Sequence, residues 1–264
     1  MAYKGKMKMD AGSFCIPKNL TPPGEDAHFI CSEKNTIGVA DGVGGWRKKG
    51  VDAGHYARRL MANTVREIDD QTEGPIDPMS VLYEAFFQTK LKGSSTACII
   101  TLTGNNLHAA NIGDSGFLLL RGGEVVYKSP VQQRRFNCPY QLGRRNDSPS
   151  SAQELTVSVK LDDVVVAGSD GLFDNMHTNE IEELVKQCME EESTPQQLAW
   201  SLAWFAHSCS LDKLNSSPFE IAAEEAGMEY IGGNVLPSSA CSSSSSPSRN
   251  SWVPTFAAIP DVTC

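Results

Sequence analysis

The sequence predicts an α+β fold with a layered core. Short runs rich in Val, Ile and Leu, bounded by Gly, Asn or Asp, alternate with longer segments of helical periodicity. Their order is strand, helix pair, several antiparallel-looking strands and then helices, which is not a regular βαβ winding. A chain of 264 residues, 40% hydrophobic and 21% charged, is long enough for one large domain with a sizeable core.

In chain order, the alternation of Lys6, Met7, Lys8 and Met9 reads as a first strand. Residues 37–40 form the next apolar run. Residues 52–70 place Tyr56, Leu60, Thr64 and Ile68 on one helical face, and residues 79–92 do the same with Val81, Leu82, Ala85, Phe86 and Leu91. Strands are expected over 95–102, 107–112, 117–120 and 124–127. The last two are joined by Arg121-Gly122-Gly123-Glu124, where Gly supplies the positive φ of a tight hairpin. Two more strands are expected over 155–159 and 164–167. Helices return with Ile181, Leu184, Val185 and Cys188, then Leu198, Leu202, Phe205, Ala206 and Cys209. Thr194-Pro-Gln-Gln and Ser217-Pro-Phe-Glu are capping boxes with Pro at the first helical position. After Gly232-Gly233 the composition changes: nine of the fourteen residues 238–251 are Ser. Residues 1–233 are therefore read as the domain and 234–264 as a mostly disordered tail, because such a segment buries too little apolar surface to offset its ordering entropy.

Charge narrows the function. With 23 Lys+Arg against 32 Asp+Glu the formal net charge is −9, which argues against nucleic acid gripped through a basic surface and against a polybasic membrane anchor. No apolar stretch approaches the roughly 20 residues of a membrane span. The first nine residues lack the apolar segment of a secretory signal, so a soluble intracellular chain is expected, with no organelle address. The eight Cys form no C-x-x-C pair and read as small buried hydrophobes.

An acidic balance does not oppose a cation site, and four motifs suggest one. Gly24-Glu25-Asp26-Ala27 follows a Pro-Pro loop. Asp41-Gly42-Val43-Gly44-Gly45-Trp46, Asp114-Ser115-Gly116 and Asp170-Gly171-Leu172-Phe173-Asp174-Asn175 each follow an apolar strand. A strand end positions a carboxylate, and the adjoining Gly lets backbone or ligand approach closely. If these Asp residues converge at one end of a sheet they form a hard-oxygen site for Mg²⁺ or Mn²⁺. Taken singly, each Asp-Gly is more simply a turn.

The ordered series Gly-Glu-Asp-Ala, Gly-Val-Ala-Asp-Gly-Val-Gly-Gly-Trp, Gly93-Ser-Ser-Thr-Ala97, Gly-Asp-Ser-Gly-Phe and Ser-Asp-Gly-Leu-Phe-Asp-Asn resembles the metal-dependent type 2C protein phosphatases. It is most similar to the plant and mitochondrial subgroup with D-G-V-G-G-W, over about residues 5–233. The resemblance implies a four-layer α-β-β-α sandwich of two mainly antiparallel sheets flanked by helices. It implies two Mn²⁺ or Mg²⁺ ions, with a weak third, and a phosphoprotein substrate for a monomeric enzyme. Asp41 would bridge both ions and the Gly42 carbonyl would bind one. Glu25 would serve the second ion, with Asp26 nearby or acting through water, and Asp170 would hold the first. Asp174 would help the weaker third ion, and Asp114 would orient loops and waters. The implied reaction is hydrolysis of phosphoserine or phosphothreonine by a hydroxide formed between the ions, which makes Asp41 and Asp170 the catalytic pair.

Three departures qualify this. Val43 stands where many members have His, and His28 reads as a solvent-facing strand residue. No Arg occupies the stretch before Glu25, where Lys18 is the nearest cation. The usual Gly-Gly-Lys-x-Asp-Asp-Ile-Thr-Val ending is replaced by the Ser-rich tract and Ile259-Pro-Asp-Val-Thr-Cys264. The expectation is a domain lacking its last strand and one metal-ligand Asp. That keeps a second reading open, a weakened pseudophosphatase that binds phosphoproteins or competes with a full-length form. A third is a hydrolase of small phosphoesters.

Overall fold

The computed structural model describes residues 7–16, 24–212, 214, 216–228 and the backbone of 253–262. The elements run β1 (Met7–Ile16), β2 (Ala27–Cys31), β3 (Thr36–Ala40), α1 (Ala53–Asp70), α2 (Pro78–Gln88), β4 (Ala97–Thr103), β5 (Asn106–Ile112), β6 (Gly116–Arg121) and β7 (Glu124–Lys128). They continue β8 (Gln133–Arg135), β9 (Cys138–Pro139), β10 (Gln153–Ser158), β11 (Val164–Gly168), α3 (Asp170–Phe173), α4 (Thr178–Glu190), α5 (Pro195–Leu211), α6 (Pro218–Glu225) and β12 (Val253–Val262). One sheet has the order β1-β12-β11-β6-β7 and the other β10-β5-β4-β3-β2, and the ladders of both are antiparallel.

Period-two alternation assigns the side chains of each inner strand to two different cores. On β4, Ala97 and Ile99 join the cluster under α1 and α2, while Cys98, Ile100 and Leu102 face the other sheet. On β6 and β11, Leu118, Leu120, Val164 and Val166 face α4 and α5, while Phe117, Leu119, Val165 and Ala167 close the space between the sheets. Every strand in the middle is thus apolar on both faces, which is why these runs read as continuous hydrophobic stretches. The result is the expected four-layer α-β-β-α sandwich.

Helix starts follow the side chains that cap them. Asp52 accepts from Gly54 N–H at 3.0 Å to open α1, and Thr194 forms a full capping box with Gln197 to open α5. Ser217 accepts from Glu220 N–H at 3.1 Å to open α6. The hairpin between β6 and β7 turns at Gly122 and Gly123, with φ of 57° and 80°.

Two expectations are corrected. The sheet does not lack its last strand: β12 lies between β1 and β11, pairing from Met7↔Val262 to Ile16↔Val253 and from Val165↔Ala258 to Gly168↔Thr255. It lies beyond the boundary that composition suggested at residue 233; residues 229–252, including the Ser-rich tract, lie outside the described residues. The cysteines are also not uniformly free thiols. Cys15, Cys31, Cys98, Cys188 and Cys209 are free, and Cys138 is disulfide-bonded. Among the described residues no helix is long and apolar enough to cross a membrane.

Candidate active site

Strand register brings the carboxylates together. β2 and β3 pair with Ala27 opposite Ala40, so the next residues outward, Asp26 and Asp41, face each other. The rung beyond is closed by Gly42 N–H donating to the Glu25 carbonyl at 3.1 Å. In the other sheet Gly116 faces Gly168, and two residues further out Asp114 and Asp170 approach each other. Both pairs emerge at the same edge. Asp41 shares a hydrogen bond with Asp26 and feels the charges of Asp170 and Asp114. Glu25, Asp26, Asp41 and Asp114 are buried, and Asp170 and Asp174 are partly so.

Like charges held together out of water resist ionisation. Burial first, then Asp26 and Asp170, hold the Asp41 carboxyl well above the usual carboxylate range. Burial, then Asp170, pushes Asp114 up to about 8, against a lowering hydrogen bond from Gln133 Nε2 at 3.3 Å. A folded pKa above the unfolded one means the folded chain binds the proton more tightly, so stability falls as pH rises between the two values. Asp114→Asn is therefore expected to raise the melting temperature of the protein in EDTA at pH 8, with the gain shrinking at pH 5. Thermal unfolding at the two pH values checks it.

The site is braced by short polar side chains. Thr96 Oγ1 accepts from Asp41 N–H at 3.1 Å and lies 2.6 Å from Ser115 Oγ, while Thr96 N–H donates to the Asp41 carbonyl at 2.9 Å. Ser169 Oγ donates to Asp26 Oδ2 at 3.5 Å. Trp46 Nε1 donates to Ser94 Oγ at 2.7 Å, tying down the 3-10 helix Gly44–Lys49 that follows Asp41. Arg58 holds the Gly24 carbonyl and pairs with Asp52, which fixes the turn carrying Glu25. Gly42 is required where it stands, since a Cβ there would lie 2.3 Å from the Glu25 carbonyl oxygen and 2.4 Å from that of Ala53. At the other side the Phe219 N–H of α6 donates to the Asp174 carbonyl at 3.0 Å. Asp174 and Asp114 line a common cavity of about 220 Å³ with Gln133, Lys128 and Phe173.

Of the expected residues, Asp26, Asp41, Asp114 and Asp170 form one cluster. Glu25 adjoins it through its backbone, and its side chain pairs with Arg47, Nε to Oε1 at 2.6 Å. His28 lies exposed on β2, as expected. Lys18 lies outside the described residues. The sequence reading missed Arg47, Thr96 and Ser169. Thr96 was seen only as part of a motif, and Arg47 stands only six residues after Asp41 in the same Gly-rich segment.

Divalent ions fit this donor set. The Asp114 Oδ1 atom is buried without a hydrogen bond among the described residues, and the clustered carboxylates all gain from added positive charge. Among the described residues no group of three or more His, Cys, Asp or Glu is arranged to hold a metal ion. A hard cation at this edge would complete its shell with water and backbone carbonyls, as Mg²⁺ commonly does.

The C-terminal strand supplies no substitute carboxylate. Its site end is Thr255, opposite Gly168 of β11, whereas Asp261 pairs with Lys8. Six residues of strand separate the two, about 20 Å at roughly 3.3 Å per residue. Asp261 therefore stands at the far end of the strand from the carboxylate cluster.

No protein-family model matches the chain. The protein phosphatase PTC7 homolog of Homo sapiens is 41% identical over 229 residues, covering 80% of this chain and 75% of that protein. The chain belongs to the protein phosphatase 2C family. The probable protein phosphatase 2C 55 of Arabidopsis thaliana is 50% identical over 234 residues, which is 87% of this phosphatase 2C chain but 50% of the relative. The chain thus spans about half the length of that relative, and 56% of the probable protein phosphatase 2C 80 from the same plant. Among solved structures, the photosystem II phosphatase PBCP superposes with a TM-score of 0.82 at 28% identity, covering 95% of this chain and 98% of that one. The catalytic domain of the serine/threonine phosphatase PstP, solved with two manganese ions, shares the 2C fold at a TM-score of 0.62 and 16% identity, covering 96% of this chain and 99% of that one.

Proposed function

We propose that the chain is a Mn²⁺- or Mg²⁺-dependent phosphatase acting on phosphoserine and phosphothreonine in proteins. The observation that carries this reading is the facing of Asp26 with Asp41 and of Asp114 with Asp170 at one edge of two sheets, with Asp41 in contact with the field of the other three. In this reading Asp41 would hold both ions and Asp170 the first. Glu25 would serve the second, with Asp26 beside it or acting through water, and the Gly42 carbonyl would add an oxygen ligand. Asp174 would serve a weaker third ion across the cavity it shares with Asp114, and Asp114 would orient water. When bound, the cations supply the acidity that makes water a nucleophile near neutral pH and the charge that offsets the phosphoryl oxygens. The chain's own part is to keep the carboxylates fixed before substrate arrives. Thr96, held to Asp41 by two backbone contacts, does this most directly. With Val43 in place of His, leaving-group protonation falls to water or another residue.

The test is release of phosphate from a phosphothreonine peptide by the purified chain. Release is expected with Mn²⁺ or Mg²⁺ and none in EDTA. A folded sample inactive with either ion would overturn catalysis and leave a phosphoprotein binder. Activity confined to small phosphoesters would overturn the substrate class.

A further inference from the structure

Arg47 belongs to none of the roles given above. Its Nε pairs with Glu25, yet the two side chains differ sharply in exposure, 51% for Arg47 and 6% for Glu25. The buried carboxylate occupies only the Nε edge of the guanidinium and leaves its Nη edge toward solvent. The guanidinium caps Glu25 from the solvent side, and its two Nη groups make no hydrogen bond among the described residues. Its backbone is held firmly. Val43 N–H donates to the Ser94 carbonyl at 3.0 Å, and Gly50, left-handed at φ 70°, returns its N–H to the Arg47 carbonyl at 3.0 Å. Lys48 follows, and Lys49 lies with Nζ 4.5 Å from the centre of the Trp46 ring. Three consecutive cations therefore follow the Gly-rich turn after Asp41, in a chain of net charge −9, and the first of them is paired with Glu25. A planar fork whose Nε is taken by Glu25 keeps two Nη groups that match the oxygens of a phosphate monoester bidentately.

We propose that Arg47 contacts the substrate, keeping Nε on Glu25 and offering its Nη groups to the phosphoryl oxygens, with Lys48 and Lys49 drawing the anionic peptide toward it. The proposal rests on the phosphatase reading above and names how that same site holds its substrate.

The test uses Arg47→Gln and Arg47→Lys in the full chain. Three quantities are measured: KM and kcat for a phosphothreonine peptide, calorimetric affinity for a non-hydrolysable phosphonate peptide in Mn²⁺, and Mn²⁺ affinity without peptide. Arg47→Gln is expected to weaken KM and phosphonate affinity by roughly ten- to hundredfold, the worth of hydrogen bonds to a charged group. Mn²⁺ affinity should stay level or tighten, because Glu25 loses a competing cation, and Arg47→Lys should recover part of the loss. Unchanged phosphonate affinity would overturn the proposal while leaving the phosphatase reading intact. Mn²⁺ affinity falling by the same factor would also overturn it, reducing Arg47 to a positioning residue for Glu25. A wild-type chain that binds Mn²⁺ but neither hydrolyses nor binds the peptides would overturn the phosphatase reading and this inference with it.

Discussion

Asp41→Asn is expected to lower metal-supported phosphate release by about a thousandfold or more while leaving the chain folded. The magnitude follows from charge. A unit charge about 4 Å from a cation is worth roughly 4 kcal/mol at an effective dielectric near 20, and each ~1.4 kcal/mol is tenfold in rate. Asn keeps the shape, and the two contacts that hold residue 41 use its backbone: its N–H donates to Thr96 Oγ1 and its carbonyl accepts from Thr96 N–H. The substitution also removes one of several carboxyls that repel one another in a buried space. The variant in EDTA at neutral pH should therefore melt no lower than the wild type, and higher if repulsion outweighs the hydrogen bond shared with Asp26. Loss of activity together with an unreduced melting temperature separates a metal-holding role from a structural one. Retained activity would remove Asp41 from the site.

How legible this was in the sequence depended on the kind of feature. Asp41, Asp114 and Asp170 could be picked out because each ends or follows an apolar strand and adjoins Gly, a local pattern. That they face one another is a matter of register between strands distant in sequence, which periodicity does not encode. β2 showed only through His28, read as a solvent-facing strand residue, because Ala-His-Phe-Ile-Cys is short and gives no range of its own. β1 was seen only at its start, since Asp10, Gly12 and Ser13 interrupt the apolar alternation. There Gly12 is needed because the start of α5 packs on it, a Cβ falling 2.2 Å from the Gln196 nitrogen. Arg47 stands out by no local pattern, and only the ion pair with Glu25 connects it to the carboxylates. Core strands were legible throughout, because burial on both faces leaves a continuous apolar run.

Ala257→Pro is expected to destabilise the chain by about 1–3 kcal/mol, the cost of a ladder hydrogen bond removed with its partner left buried. At roughly 2–4 °C per kcal/mol for a domain of this size, the melting temperature should fall by roughly 2–12 °C. Ala257 faces Gly12 of β1 on one side and Val166 of β11 on the other. A missing N–H there breaks a ladder whichever neighbour it points to. The two prolines already in β12 stand where the strand tolerates them. Pro254 and Pro260 pair with Cys15 and Met9 of β1, while the ladder with β11 runs only from Thr255 to Ala258, between them. Each therefore sits where the strand has one neighbour, so Pro254→Ala and Pro260→Ala should shift melting little. The damage of Ala257→Pro should also reach catalysis, because Gly168, opposite Thr255, is two residues from Asp170. Denaturation and phosphate release measured on the same samples test both effects. A variant that melts like the wild type would mean that residues 253–262 do not hold β1 and β11 together.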